Sequence, residues 1–178
     1  MSRQNLMGIL LLILFTSCLK REEFSEIPKI EYRSMTVEGN DIELRISFTD
    51  GDGDIGFREG EEQFPFGPCD EYHYNLLIDP FYLKDGEYVI GTVLDYDSKC
   101  YPKSSPDTGY FPDTVGYYYR VAYLVPDGKD KSLEGDIYIT LNEVLNEFPD
   151  DTIKFSIYLI DRALHRSNVV QTEALITP

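Results

Sequence analysis

The sequence predicts an all-β domain of about eight short strands, arranged as two antiparallel sheets packed face to face, with one short helix. Three observations carry that prediction. Apolar residues recur at every second position through much of the chain, no segment keeps a helical repeat for three turns, and Gly, Pro, Asp and Asn punctuate the runs at short intervals. A strand with one buried face shows this period of two, and several such strands bury their apolar faces by pairing two sheets. A closed barrel is the other architecture that satisfies the pattern.

The elements follow in order. The first strand is expected over residues 29–37. Over residues 41–48, Ile42, Leu44, Ile46 and Phe48 fall on one side while Glu43, Arg45 and Ser47 fall on the other, which marks a half-buried strand. Further strands are expected at residues 72–78, 87–95, 117–125 and 135–141, each bounded by turn-forming residues. Pro126-Asp127-Gly128 reads as a turn, because proline presets φ and glycine accepts positive φ. A short helix is expected over 142–148, where Asn142 can cap and Val144, Leu145 and Phe148 share a face. Ile153, Phe155, Ile157 and Leu159 then alternate with polar residues, and Val170, Thr172, Ala174 and Ile176 mark a partner strand across a polar connection at 161–168. Residues 98–113, rich in Pro, Ser, Asp and Gly, form a long connection for a compact domain.

The N-terminal end gives an address. Arg3 precedes an apolar run from Leu6 to Phe15, followed by Thr16, Ser17 and Cys18, the order of a secretory signal and too short to span a bilayer. Phe15-Thr16-Ser17-Cys18 resembles the site at which a bacterial lipoprotein is lipidated on cysteine and cleaved, with Phe15 where leucine is usual. Residues 1–17 are therefore expected to be a signal peptide, Cys18 the lipid attachment site, residues 18–28 a tether, and 29–178 one domain. Localisation follows as the outer membrane, on the cell surface or the periplasmic face. Giving Cys18 to the lipid leaves Cys69 and Cys100 as a pair for a disulfide, worth about 3 to 4 kcal/mol by loop closure. A zinc site on the same thiolates with His73 would lack a fourth ligand.

With 32 acidic and 16 basic residues the chain carries a formal charge of −16, which excludes nucleic acid as a partner and disfavours bare anionic lipid. The densest acidity is Asp50-Gly51-Asp52-Gly53-Asp54-Ile55-Gly56 at a strand end. Carboxylates about 5 Å apart repel by about 1 to 3 kcal/mol per pair, and a bound cation would relieve that. Asp50, Asp52 and Asp54 are thus candidate calcium ligands, with Glu59, Glu61 and Glu62 as additional donors. Numbered as an EF-hand, they occupy positions one, three and five and Glu61 position twelve, but Ile55 stands where glycine is required and a strand precedes the loop. The motif is either a calcium loop of another kind or an acidic turn whose carboxylates accept local amide hydrogen bonds.

Catalytic chemistry finds little footing. His73 and His165 are far apart in sequence and neither belongs to a nucleophile motif, so the protein is expected not to be an enzyme. Tyr110, Phe111, Tyr117, Tyr118 and Tyr119 cluster near one another, and alternation sends Tyr118 to the face opposite Tyr117 and Tyr119. Tyr118 and Tyr119 are candidate anchors for a glycan or an envelope protein, or else simply pack on the sheet.

The DGDGDIG segment at 50–56, followed far downstream by Asp161-Arg162-Ala163-Leu164-His165-Arg166-Ser167-Asn168, resembles a family of small Bacteroidota-type lipoproteins. The resemblance implies a single immunoglobulin-like domain of largely unknown function and supplies no catalytic residue. Leu164 and His165 stand where relatives often carry glycine and asparagine. Together these readings predict a lipid-anchored envelope module that binds or scaffolds, stabilised by calcium if the acidic loop holds it. The alternatives are a glycan-binding accessory of a nutrient-uptake system and a small envelope hydrolase.

Overall fold

The computed structural model describes residues 24–68, 70–91, 116–124 and 131–178. It is an all-β sandwich of two antiparallel sheets, with nine strands and one helical turn among the described residues. The strands are β1 (Lys29–Glu38), β2 (Asp41–Asp50), β3 (Leu76–Lys84), β4 (Glu87–Ile90), β5 (Tyr117–Tyr119), β6 (Leu133–Leu141), β7 (Thr152–Leu159), β8 (Val170–Gln171) and β9 (Leu175–Ile176). The helical turn α1 (Val144–Glu147) links β6 to β7. One sheet has the order β1-β2-β6; the other has the order β4-β3-β7-β8, with β5 on β3 and β9 on β7. This is the two-sheet strand order of an immunoglobulin-like sandwich, with β2 and β7 central.

Those two strands show why the sequence folds this way. Ile42, Leu44, Ile46 and Phe48 of β2 face Ile153, Phe155, Ile157 and Leu159 of β7, and all eight are buried. Each such side chain contributes about 1.5 to 3 kcal/mol on burial, so a one-residue slip would expose an entire row and is strongly disfavoured. Val144, Leu145 and Phe148 close one end of this core.

Several elements differ from expectation. β5 stops at Tyr119, short of the expected strand over 117–125, and the helical turn is capped by Glu143 at φ 57° without a side-chain bond and not by Asn142. Two further differences have clear physical causes. β3 does not stop at Ile78 but continues through Asp79-Pro80 to Lys84, where Asp85-Gly86, at φ 53° and 86°, turns the chain tightly into β4. Pro80 is tolerated because its ring nitrogen faces the edge where β4 has ended and β5 has not begun; only Gly91 N–H reaches the Pro80 carbonyl there, at 2.7 Å. The C-terminal strand is split by one extra residue between β8 and β9. There the Thr172 hydroxyl accepts from Phe155 N–H at 3.1 Å and replaces a ladder bond. The expected turn at Pro126-Asp127-Gly128, the long connection at 98–113, and Cys18, Cys69 and Cys100 lie outside the described residues. No helix among the described residues is long and apolar enough to cross a membrane.

Candidate metal centre

β2 and β7 run in the same direction in opposite sheets, so both finish at the same end of the sandwich. Asp50 is the last residue of β2, and its inward position continues the row Ile42, Leu44, Ile46, Phe48. It is as buried as they are, at 0% exposure. Asp161 follows β7 by two residues and is 1% exposed. Alternation thus delivers one carboxylate from each sheet to the rim of the core.

The chain after Asp50 is pinned back over that rim. Ile55 is fully buried in the core, and Phe57 pairs with Ala122 through bonds from Phe57 N–H to Val121 O and from Tyr123 N–H to Phe57 O, at 2.9 and 2.8 Å. Gly56 between them has φ 89°, and a Cβ there would lie 2.3 Å from the Ala122 carbonyl oxygen; only glycine fits. The pinning brings Asp54 back toward Asp50, so that Asp54 N–H donates to Asp50 Oδ2 at 2.9 Å. Arg162 N–H reaches the Asp54 carbonyl at 3.4 Å, which puts the two distant motifs in direct contact.

One carboxylate oxygen from each of Asp50, Asp54 and Asp161 lies within 4.8 Å of the other two. Two oxygens on one calcium, each bound at about 2.3 to 2.6 Å, are at most about 5 Å apart, so the three fit a single ion. The Oδ1 atoms of Asp50, Asp52 and Asp54 are buried and accept no hydrogen bond. Buried polar atoms are normally paired, and these three carboxylate oxygens on one short loop receive no donor. All-oxygen donors suit a hard cation, calcium above zinc or copper. Asp52 adds charge, whereas the converging oxygens belong to Asp50, Asp54 and Asp161.

Electrostatics bear the same mark. Burial, and then the neighbouring Asp52, Asp54 and Asp161, push the Asp50 carboxyl up to about 7 against the bond from Asp54 N–H. Burial and the charges of Asp161 and Asp52 raise Asp54. Burial also raises Asp161, opposed by His165. His165 donates its N–H to Asp161 Oδ1 at 2.7 Å and places Nδ1 2.9 Å from Oδ2, fixing the orientation of that carboxylate.

Of the other candidate ligands, Glu61 is buried but engaged elsewhere: Oε1 receives Arg162 Nη2 at 2.5 Å and Oε2 receives Arg58 N–H at 3.0 Å. Glu59 and Glu62 are exposed. The neighbouring loop is organised by Arg120, which donates to the carbonyls of Phe66, His73 and Glu61 at 3.0, 2.5 and 2.8 Å and stacks 4.3 Å from the Phe57 ring centre. His73 lies in that arrangement, with Nδ1 3.3 Å from Phe66 O.

The candidate aromatic anchors do not share a platform. Tyr118 is half-buried on the outer face, its hydroxyl donating to Asp79 Oδ1 at 3.1 Å; Tyr119 packs against the core, its hydroxyl donating to Thr140 O at 3.0 Å. Sequence reading missed Arg120 altogether, and it singled out the segment holding Asp161, Arg162 and His165 without assigning those residues to the site. A signal for Asp161 existed: it continues the inward row of the second fully alternating strand two residues past Leu159, as Asp50 continues that of the first past Phe48. No family model, curated protein or solved structure matches the chain in comparisons with known proteins.

Proposed function

We propose that this protein is a lipid-anchored module of the bacterial outer membrane that binds or scaffolds rather than catalyses, and that calcium holds the loop end of its β-sandwich together. The observation that carries the calcium reading is the set of buried, unpartnered oxygens of Asp50, Asp52 and Asp54 beside the Asp161 carboxylate. Such a pocket costs stability as it stands and gains it when a cation enters, by an amount set by mass action. The burial of these oxygens supports a structural ion over a reactive one, since a catalytic metal keeps a position open to substrate. The contact between the DGDGDIG and DRALHRSN segments gives the resemblance to small Bacteroidota-type lipoproteins a shared physical site.

Calorimetric titration of the protein with calcium, repeated on Asp50→Asn, tests the metal. Heat and a raised melting temperature in the parent and neither in the variant are the expected result; no heat at millimolar calcium refutes it. The anchor is tested separately by labelling cells with a palmitate analogue, where Cys18→Ala is expected to lose the label. A label retained by that variant removes the lipid attachment from Cys18.

A further inference from the structure

The two loops that supply the carboxylates also hold the N-terminal segment. Gly51, between Asp50 and Asp52, donates its N–H to the Ser25 carbonyl at 2.8 Å. The segment crosses so closely that a Cβ on Gly51 would lie 2.3 Å from Phe24 O and 2.8 Å from Ser25 O. From the other loop, Asn168 accepts Ile30 N–H at Oδ1 and donates Nδ2 to Ile30 O, both at 2.9 Å. Pro28 is buried between these two grips.

We infer that the cation site is a clasp, in which calcium bound by Asp50, Asp54 and Asp161 locks residues 24–28 onto the domain, just before β1, and thereby fixes how the sandwich sits on the chain leading to Cys18. This rests on the calcium reading above. Without the ion, like charges on the β2–β3 and β7–β8 loops repel, and the loop shape that presents Gly51 N–H to Ser25 is the shape that gathers the carboxylates. With the ion, both grips are tied to one centre. The coupling is reciprocal: if calcium favours the docked segment by a given factor, docking favours calcium by the same factor. Loss of calcium would then leave the folded domain on a loose leash.

The test is hydrogen exchange on the full-length chain in detergent, in calcium and in chelator, alongside calorimetry. Calcium is expected to slow exchange of the Gly51 amide and of peptides covering residues 24–28 by roughly tenfold or more. Asp161→Asn is expected to abolish both the calcium heat and the slowing. Gly51→Ala, whose added methyl expels the segment, is expected to keep the calcium heat, weaken affinity by about 5-fold or more, and leave residues 24–28 unprotected in calcium. If Gly51→Ala does not fold, Asn168→Ala removes the other grip and carries the same expectation. Calcium heat with unchanged exchange at residues 24–28, or a variant that frees the segment yet binds calcium as tightly as the parent, overturns the clasp and leaves the calcium reading standing. Absence of calcium heat overturns both.

Discussion

Phe48 and Asp50 are neighbours on the same face of the same strand, and both are buried, at 3% and 0% exposure. One belongs to an apolar core that gains free energy by leaving water. The other is a carboxylate for which leaving water is costly, with an oxygen that nothing compensates. Burial at both positions is imposed by the alternation of β2, whatever the side chain. The difference shows where the molecule spends stability on something other than folding: the middle of the sandwich is consistent at every level, and the loop end departs from that consistency at the residues that gather charge.

Breaking the core should cost most and should ignore calcium. Among the described residues, Phe155 is the largest side chain that is wholly buried, and it lies against Tyr117, with ring centres 6.2 Å apart. Phe155→Ala is expected to lose about 3 to 5 kcal/mol in denaturant unfolding, equally in calcium and in chelator. A loss that depended on calcium would erase the distinction between the two regions.

Asp50→Asn sharpens the contrast because its effect should change sign with the ion. In calcium at a hundredfold excess over its dissociation constant the parent gains about 2.7 kcal/mol, which the variant forfeits. In chelator the variant should melt at a higher temperature than the parent, because one buried like charge is gone. Destabilisation under both conditions would make Asp50 an ordinary buried polar residue.

Arg120→Ala lies between the two regions. It removes the donor to three carbonyls and the cap over Phe57, and leaving such acceptors unpaired costs about 1 to 3 kcal/mol. Since Arg120 orders the loop beyond Phe57 and not the carboxylates, thermal melts should show this loss in calcium and in chelator alike, with the calcium-induced gain intact.

The central strands were legible because each repeats one physical signal, the inward apolar residue, four times over. β3 was misplaced because Asp79-Pro80 reads locally as a stop, and only the gap between β4 and β5 on the neighbouring edge makes proline acceptable there. At the site, Asp50, Asp52 and Asp54 advertised themselves by proximity in sequence. Asp161 did not, because its partners are more than a hundred residues away and meet it only through the packing of two sheets. Glu61 was misleading for the converse reason: it is close in sequence to the acidic loop but is turned toward Arg162. Local spacing finds residues that share a loop, whereas a site built across a sandwich also needs the direction of each strand.

The smallest expected effect is the dependence of stability on pH, and it discriminates by its slope. Burial and neighbouring carboxylates hold Asp50 at about 7 in the fold, against an ordinary 3.8 when exposed. Between those values the folded chain binds a proton that the unfolded chain has released, so the ion-free domain is most stable below about pH 4 on this account and loses stability as pH rises toward 7. Asp54 and Asp161, raised by the same burial, act in the same direction. Calcium requires the deprotonated carboxylates, so its stabilisation grows over the same interval. Melting temperature measured from pH 5 to pH 8 should therefore fall by a few degrees in chelator and stay nearly level in saturating calcium, where folded and unfolded chains are both deprotonated at these groups. Parallel slopes in the two series would mean that the ion, if it binds at all, binds somewhere other than beside Asp50.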